Sequence, residues 1–376
     1  MECYFDNSAT TKPTQAVVDA VVCALTENYG NPSSLHRVGD AASAKLEESR
    51  ATVAKALGCM PEEVYFTSGG TESNNIAVMG TVNALRRRGN RIVTSCVEHP
   101  SVLECMKRLE EEGFEVIYLP VDKDCRVSKE SLFESINDRT ILVSLMLVNN
   151  EVGSVQPVRD AADAIKRAGA PALLHTDAVQ AFGKLPFKAS EIRADLITVS
   201  SHKIHGPKGA GALYVKKGTR LVPYVLGGGQ ENGLRSGTHG MPGIMGLAAA
   251  VSDLGDIAEN GARVDALKSC LLNCLADQEN LVVNSPEGFP YILNISLLGI
   301  PSEVLRNFLS ESGVYVSTGS ACSKGHRSYV LTAMGLDNKT IDSAIRVSFS
   351  RFNTKEETEY LAECFIKANK MLRKTN

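Results

Sequence analysis

Lys203 lies in a stretch of sequence that could hold a reactive amine against a bound ligand. Residues 200–211 read Ser-Ser-His-Lys-Ile-His-Gly-Pro-Lys-Gly-Ala-Gly, and they follow an apolar run at 195–199 that predicts a buried strand. The glycines that come next let a ligand approach the backbone closely. Burial lowers the pKa of a lysine and makes its amine a nucleophile that can form a Schiff base. The alternative is a surface lysine in a glycine-rich turn.

A second group of small residues, Ser68-Gly69-Gly70-Thr71, follows a predicted strand and precedes a predicted helix. Free backbone N–H groups and the helix dipole favour an anion at such a junction, so the pattern predicts a phosphate site. The segment lacks the Gly-Lys-Ser/Thr ending of a nucleotide P-loop, and ATP is therefore not expected.

Asp177 and His99 each follow a predicted strand. A buried carboxylate needs a partner, and a protonated pyridine nitrogen would supply one for Asp177; the alternative is a helix N-cap. His99 precedes Pro100 and could stack on a flat ring or move protons, or it could be a loop histidine bonded to the backbone. A phosphate site, an acid, a histidine and Lys203 together fit pyridoxal phosphate, which needs a phosphate cup, a pyridinium partner and a Schiff-base lysine.

Strands and helices alternate along the chain in a way that would bring these residues together. Apolar runs predict strands separated by helical patterns, at residues 64–67, 91–95, 116–119, 141–148, 172–175, 195–199 and 212–215. This alternation predicts an α/β fold with a mostly parallel sheet covered on both faces, and ligands lie at the carboxyl ends of the strands of such sheets. The candidate residues that follow these strands are Gly70, Thr71, His99, Asn150, Asp177, Gln180, His202 and Lys203.

A smaller α+β domain is predicted after residue 215, where the regular alternation stops. Residues 227–238 form a long glycine-rich loop of the kind that is usually functional in a compact domain. A helical stretch runs to about residue 279 and is followed by short predicted strands, at residues 291–297, 314–317 and 345–349. We expect a large domain of residues 14–250 and a small domain of residues 1–13 and 251–376.

Composition and charge argue against several classes of protein. The chain of 376 residues has 40 Lys and Arg against 43 Asp and Glu, so neither nucleic acid nor a membrane is expected as a direct partner. We expect no signal segment and no membrane span, and hence a cytoplasmic protein. The ten cysteines are scattered and expected to be reduced. Cys270 and Cys274 are expected to be buried small residues on a helix, and no metal is expected.

Several short motifs resemble those of a known family. In chain order they lie at residues 4–11 (Tyr-Phe-Asp-Asn-Ser-Ala-Thr-Thr), 30–34 (Gly-Asn-Pro-Ser-Ser), 67–75 (Thr-Ser-Gly-Gly-Thr-Glu-Ser-Asn-Asn), 149–153 (Asn-Asn-Glu-Val-Gly), 201–209 (Ser-His-Lys-Ile-His-Gly-Pro-Lys-Gly), 235–238 (Arg-Ser-Gly-Thr) and 319–322 (Gly-Ser-Ala-Cys). The chain resembles the pyridoxal-phosphate-dependent cysteine desulfurases of the NifS/IscS type, in the class V aminotransferase family, from residue 4 to about residue 354. The resemblance implies a fold-type-I homodimer whose large domain has a mostly parallel seven-stranded sheet, with active sites at the subunit interface.

The resemblance also implies the residues that hold the cofactor. Lys203 would form the Schiff base, Asp177 would pair with the pyridine nitrogen, and His99 would stack on the ring and act as an acid or base. Gln180 would contact the ring hydroxyl. The phosphate would be held by Gly70, Thr71, Ser200 and His202, helped by Thr238 of the partner subunit.

Arg346, Asn150 and Cys322 would handle the substrate. Arg346 would clamp the substrate carboxylate with its planar fork, Arg351 being the less favoured candidate, and Asn150 would contact cofactor or substrate. Cys322 lies among small polar residues with Lys324, His326 and Arg327 close in sequence, and cationic neighbours favour a thiolate. The family match makes Cys322 the expected nucleophile.

The implied reaction converts L-cysteine to L-alanine. Lys203 would take the Cα proton, and the Cys322 thiolate would attack the substrate sulfur to form a persulfide that passes to an acceptor protein. The loop after Cys322 is slightly shorter than in the housekeeping members, and the sequence stops at Asn376 without the tail that many of them use to dock a scaffold. The acceptor therefore stays open between an iron–sulfur scaffold, a tRNA or thiamine sulfurtransferase and a selenium pathway.

Three other functions are alternatives to a desulfurase. A selenocysteine lyase shares the fold and the lysine but takes another substrate. A class V aminotransferase needs no thiol, so Cys322 argues against it. A non-catalytic scaffold would need none of Lys203, Asp177, His99 and Cys322.

Overall fold

The computed structural model describes residues 1–318 and 327–372 of the chain. Its α-helices are α1 Gln15–Thr26, α2 Arg37–Leu57, α3 Gly70–Leu85, α4 Pro100–Glu111, α5 Lys129–Ser135, α6 Val158–Ala168, α7 Ala189–Ile192, α8 Met241–Ser252, α9 Ile257–Cys274, α10 Ser302–Glu311, α11 Tyr329–Ala333, α12 Asn338–Asp342 and α13 Lys355–Leu372. Its strands are β1 Cys3–Tyr4, β2 Val64–Thr67, β3 Arg91–Ser95, β4 Glu115–Leu119, β5 Thr140–Ser144, β6 Leu173–Asp177, β7 Leu196–Ser200, β8 Gly211–Val215, β9 Leu281–Val283, β10 Ile292–Leu297, β11 Val314–Tyr315 and β12 Ala344–Ser348.

The main sheet has seven strands within the described residues, in the order β2-β8-β7-β6-β5-β3-β4. Strand β8 is antiparallel to both of its neighbours, and the other neighbouring strands run parallel. Every residue of β5 and β7 is buried, as expected where helices cover both faces of a sheet. The predicted mostly parallel seven-stranded sheet is confirmed, and the carboxyl ends of β2, β3, β5, β6 and β7 share one edge.

Two strand-to-helix junctions at this edge depend on their local sequence. Gly69, between β2 and α3, has a φ of +146°, a conformation that glycine adopts far more readily than other residues. The chain can therefore turn sharply and start α3 at Gly70. Between β3 and α4, His99 is the N-cap and Pro100 is the first helical residue, where its missing N–H costs no hydrogen bond.

Two smaller sheets are built largely from the C-terminal part of the chain. Strands β12, β10 and β9 form an antiparallel sheet, and β1 pairs in parallel with β11. Asp6 also forms a parallel bridge with Ser348 at the end of β12. The N-terminal segment thus lies against the C-terminal strands, which supports our proposal that residues 1–13 and 251–376 form the small domain.

Three details differ from the sequence-based expectations. Strand β5 ends at Ser144, whereas the predicted strand ran to residue 148. The backbone N–H groups of Leu145 and Leu147 still donate to carbonyl oxygens of β6. The long helical stretch is two helices, α8 and α9, because the chain turns at Gly255 with a φ of +66°. Cys274 is exposed, so the expectation that it is buried was wrong; it ends α9 on the solvent side.

The described helices include none that is long and apolar enough to cross a membrane. The same part of the chain contains no group of three or more His, Cys, Asp or Glu side chains that could hold a metal ion.

Candidate active site

The carboxyl edge of the main sheet opens into a cavity of about 280 Å³. This volume is close to the lower end of the roughly 300–1,000 Å³ typical of small-molecule sites. The cavity is lined from the main sheet, from β12 and from the N-terminal segment. The residues predicted from the sequence that line it are Gly70, Thr71, His99, Asn150, Asp177, Gln180, Ser200, His202, Lys203 and Arg346.

Lys203 extends into the cavity from a single 3₁₀ turn, Ser201–Lys203, that follows β7. Its Nζ donates hydrogen bonds to the carbonyl oxygens of Ser8 at 2.5 Å and Ala9 at 2.8 Å. Burial and the nearby charge of Arg346 lower the pKa of Lys203 to about 8. A sizeable fraction of this amine is therefore uncharged near neutral pH and able to act as a nucleophile or base.

Asp177 is the last residue of β6 and is buried at the base of the cavity. Its Oδ1 accepts from the backbone N–H of Val179 at 2.9 Å, and its Oδ2 accepts from Asn74 Nδ2 at 2.7 Å. Asp177 is therefore not a helix N-cap, because no helix starts beside it. Its position at the strand end leaves a carboxylate facing the ligand space.

His99 lies across the cavity from Lys203, at the start of α4. Its Nδ1 accepts from the backbone N–H of Ser101 at 3.2 Å and is 2.8 Å from Ser101 Oγ. Burial lowers the pKa of His99, and the nearby Lys203 charge lowers it further against the opposing effect of Asp177. The imidazole is therefore neutral near physiological pH.

The predicted phosphate cup lies at the N-terminus of α3. An added Cβ at Gly70 would stand 2.9 Å from Val179 Cγ2, so only glycine leaves room there without a shift of its neighbour. The first helical N–H groups point away from the helix and attract an anion. His202 lines the same cavity as Gly70 and Thr71. Burial together with the charges of Lys203 and Lys208 lowers the pKa of His202 to about 4. His202 is therefore a neutral hydrogen-bonding group.

Arg346, in the middle of β12, brings a guanidinium into the cavity from the small sheet. Its Nη1 donates to the carbonyl oxygen of Asn150 at 3.0 Å, and its Nη2 donates to Asp6 Oδ1 at 2.9 Å. Arg346 Nε and Asn150 Oδ1 are buried and have no hydrogen-bond partner within the described residues. Buried polar atoms are rarely left unpaired in proteins, so both atoms indicate a ligand.

Gln180 is held between the N-terminal segment and a second buried lysine. Its Nε2 donates to the carbonyl oxygen of Ser8 at 3.0 Å, and its Oε1 accepts from Lys184 Nζ at 3.4 Å. Burial, followed by the charge of Lys203, lowers the pKa of Lys184 to about 7. Sequence reasoning had given Lys184 no role.

A family model for class-V aminotransferases matches residues 3–361. The chain belongs to the class-V aminotransferase family. A cysteine desulfurase IscS of Methanosarcina thermophila is 40% identical over 365 residues, which is 96% of this chain and 90% of the relative. A NifS/IcsS protein homolog of Lactobacillus delbrueckii subsp. bulgaricus is 43% identical over 370 residues, 96% of each chain.

Solved structures of class-V aminotransferase relatives share the whole fold. A NifS-like protein superposes with a TM-score of 0.93 at 39% identity, over 99% of both chains. The structure described as SspA in complex with cysteine superposes with a TM-score of 0.83 at 32% identity, over 94% of this chain and 100% of that one. Members of this family use pyridoxal 5'-phosphate, which is therefore the cofactor of this chain.

The cavity fits this cofactor on several independent points. The amine of Lys203 and the carboxylate of Asp177 enter from neighbouring strands, as attachment to an aldehyde and pairing with a pyridine nitrogen require. The α3 N-terminus offers an anion cup where a Cβ would crowd Val179. Asn150 Oδ1 and Arg346 Nε are buried polar atoms without partners in the described chain.

Asn74, Ser101 and Tyr329 are among the cavity residues that had no assigned role from the sequence. Asn74 and Ser101 contact Asp177 and His99, and Tyr329 lines the cavity while its hydroxyl donates to the carbonyl oxygen of Glu98 at 2.6 Å. Asn74 follows Gly70 by one helical turn, a spacing that places both on one face of α3. This spacing and the place of Asn74 in the motif of residues 67–75 are the signals that could have found it.

Thr238 does not line the cavity in this chain, and Cys322 lies outside the residues that the structure describes. Thr238 is exposed, in the loop after Glu231, and the prediction that it acts on the partner subunit stays a prediction. The loop is tied to the phosphate cup because Arg235 Nε donates to Glu72 Oε1 at 3.0 Å. Cys322 belongs to residues 319–326, outside the described residues.

Proposed function

We propose that this protein is a cysteine desulfurase that converts L-cysteine to L-alanine and forms a persulfide on Cys322. The observation that carries the proposal is the cavity in which Lys203, Asp177 and Arg346 meet. These three side chains supply an amine, an acid that would hold a pyridinium, and a guanidinium for a carboxylate. An amino acid joined to the cofactor is the substrate class that would engage all three at once.

Lys203 acts first as the attachment point and then as the base. When bound, pyridoxal phosphate supplies an aldehyde for the amine and a protonated ring that accepts electrons. Lys203 is poised to take the Cα proton of the substrate because its pKa of about 8 lies near the working pH. Its contacts with the Ser8 and Ala9 carbonyl oxygens give it a resting position beside the cavity when it is not attached.

Arg346 orients the substrate by its carboxylate. Its side chain is 3% exposed and already anchored by Asp6, so little side-chain freedom is lost when a carboxylate binds. A planar guanidinium matches two carboxylate oxygens. This orientation keeps the substrate Cα within reach of Lys203.

Cys322 receives the sulfur. Its thiolate attacks the sulfur of the substrate, an S–S bond forms, and the substrate C–S bond breaks with its electron pair remaining on carbon. That carbon, Cβ, takes up one proton, and Cα takes back the proton that Lys203 removed, so the product is alanine and no external oxidant or reductant is needed. The persulfide then passes to an acceptor, proposed to be an iron–sulfur scaffold protein or a tRNA or thiamine sulfurtransferase.

A homodimer would complete the phosphate cup, with Thr238 of one protomer contacting the phosphate in its partner. Mixed dimers of Lys203→Ala and Thr238→Val protomers test this arrangement. The mixed dimer contains one site in which both native residues meet, so it should be active although each parent dimer is impaired. Mixed dimers no more active than the parents would contradict the assignment.

The activity itself is tested by alanine formation from L-cysteine with the yellow, cofactor-loaded protein. Wild-type protein should form alanine, and the Lys203→Ala and Cys322→Ala variants should not. L-selenocysteine and pairs of amino and keto acids serve as competing substrates for the lyase and aminotransferase alternatives. If the protein converted an amino-acid and keto-acid pair but formed no alanine from cysteine, the desulfurase would be excluded. If it converted none of these substrates, the result would favour a non-catalytic scaffold.

A further inference from the structure

A continuous chain of short hydrogen bonds joins Asp177 to His99 along the wall of the cavity. Asn74 Nδ2 lies 2.7 Å from Asp177 Oδ2 and 2.8 Å from Ser101 Oγ. Ser101 Oγ lies 2.8 Å from His99 Nδ1. Asn74 is 1% exposed and Ser101 8% exposed, so water competes little for these bonds. Two predicted functional residues on different strands are therefore linked through two side chains that the sequence did not single out.

The donors and acceptors of this chain can be assigned from its chemistry. A carboxylate only accepts, so Asn74 must turn its NH2 group toward Asp177. The second proton of that group goes to Ser101 Oγ, and the Ser101 hydroxyl then has its own proton free for His99 Nδ1. The backbone N–H of Ser101 also donates to Nδ1, at 3.2 Å, and a backbone N–H cannot reverse its role. His99 Nδ1 is thus an acceptor and the ring proton lies on Nε2.

The surrounding charges keep this arrangement stable. A proton on Nδ1 would break the bond from the Ser101 backbone N–H and would require the Ser101 hydroxyl to accept instead of donate, and burial also opposes a charged imidazole. Glu98 makes no side-chain hydrogen bond to the His99 ring within the described residues: its Oε1 accepts from Ser95 Oγ at 2.6 Å and from the Met146 N–H at 2.9 Å, and its Oε2 is buried without a partner. The charged or titratable groups around His99 are Asp177 of β6, Lys203 after β7, Glu98 and Tyr329, with Glu104 and Arg108 in the adjoining groove of α4.

We propose that Asn74 and Ser101 are positioning residues that hold His99 neutral with its proton on Nε2, so that His99 donates a hydrogen bond to the bound ligand and does not serve as the base. The proposal deepens the proposed function, since it leaves Lys203 as the base. Within the described residues, Nε2 has no partner, and His99 lines the cavity, so Nε2 is the nitrogen available to a ligand. With its proton in place, Nε2 has no lone pair to accept another.

The hydrogen-bond chain also links the ring form of His99 to the carboxyl group of Asp177. Asp177 Oδ2 accepts from Asn74 Nδ2, and the same amide group donates to Ser101 Oγ. A pyridinium nitrogen bound at Asp177 would share this carboxyl group with Asn74, so the hydrogen-bond chain would connect the bound cofactor to His99. Loss of Ser101 Oγ or of Asn74 should release the ring from this constraint.

Nitrogen-15 NMR of histidine-labelled, cofactor-loaded protein tests the proposal directly. The chain has 7 histidines, and the His99→Gln variant identifies the His99 signals by their loss. The chemical shifts should show the Nε2–H form from about pH 7 to about pH 8.5. An Nδ1–H form, or protonation of His99 within this range, would overturn the proposal.

Variants separate positioning from general destabilisation. Ser101→Ala and Asn74→Ala should each give a mixture of His99 ring forms, and should lower kcat/KM for L-cysteine by about tenfold, the size of one lost hydrogen bond. Ser101→Thr keeps the hydroxyl and should restore the wild-type spectrum. Ser144→Ala is the matched control. Ser144 Oγ also hydrogen-bonds a histidine, His175 Nδ1 at 2.8 Å, but Ser144 lies in the main sheet and lines no part of the cavity.

The outcomes distinguish this inference from the proposed function. The NMR spectrum needs no turnover, so the predicted ring form in a protein that does not consume cysteine would support the positioning role and reject the desulfurase. If the protein forms alanine from L-cysteine but the Ser101→Ala and Ser144→Ala variants give the same His99 spectrum, the positioning role is rejected and the desulfurase is not.

Discussion

Replacing Glu231 by Gln should destabilise the fold. Glu231 lies in the loop that carries Thr238, and its side chain is 1% exposed. Its two oxygens accept from Arg50, from the His239 ring at 2.8 Å and from the Phe66 N–H at 2.7 Å. The Glu231→Gln variant presents an amide NH2 group to these donors, so at least one of them is left buried and unpaired.

The pKa of Glu231 gives the expected size of the loss. Burial raises its pKa, but the hydrogen bonds from His239 and Arg50 outweigh burial and lower it from 4.5 to about 2. This difference corresponds to about 3 kcal/mol in the free energy of unfolding at pH 7, in the range measured when a buried ion pair is broken. Because the folded-state pKa is the lower one, this stabilisation is complete above pH 4.5 and is lost as the pH falls toward 2. About 1 to 1.5 kcal/mol should be lost by pH 3.5.

Urea unfolding of cofactor-loaded protein, at one fixed protein concentration, measures this loss. The gap between wild type and Glu231→Gln should be about 3 kcal/mol at pH 7 and should narrow at pH 3.5. Glu115→Gln is the control, since Glu115 pairs with Arg91 at a side-chain exposure of 35% and should cost about 1 kcal/mol or less. Equal costs for the two variants, or a gap that does not depend on pH, would refute this reasoning.

Three further predictions concern the cavity. The rate at which apoprotein binds pyridoxal phosphate should rise with pH with a midpoint near 8, the pKa of the Lys203 amine, and a midpoint above about 10 would show that Lys203 is not shifted. Gly70→Ala should weaken cofactor binding by about tenfold or more in a fluorescence titration, because its Cβ meets Val179 Cγ2 at 2.9 Å; unchanged affinity would place the cofactor elsewhere. Lys184→Met should raise the unfolding free energy by at least about 1 kcal/mol at pH 6, since the buried lysine with a pKa of about 7 must hold a proton there. That gain should shrink as the pH rises from 7 toward 10.5, because the folded state then no longer has to hold a buried charge, and a gain that grows with pH would contradict the prediction.

The sequence predicted the residues at the strand ends because their position depends on local rules. Apolar runs locate strands, small residues after a strand mark a phosphate cup, and parallel strands gather their carboxyl ends at one edge. Gly70, His99, Asp177 and Lys203 follow from these rules alone. Their roles needed the resemblance to a family, since an N-cap, a loop histidine or a surface lysine has the same local sequence.

Contacts between distant segments could not be predicted in this way. Asp6 is separated from Arg346 by 340 residues, and Asn74 from Asp177 by 103 residues, so no local pattern connects them. The end of β5 at Ser144 was also missed, because the residues that follow it are buried and apolar like a strand. Burial and strand pairing are different properties, and an apolar run reports only burial.

Intact-mass analysis of the cofactor-loaded protein after anaerobic incubation with L-cysteine tests the central claim most directly. The account predicts that the wild-type chain gains the mass of a sulfur atom while alanine forms, and that the Cys322→Ala variant stays yellow but gains no sulfur. Sulfur retained by the Cys322→Ala variant, or alanine formed by it at the wild-type rate, would contradict the account.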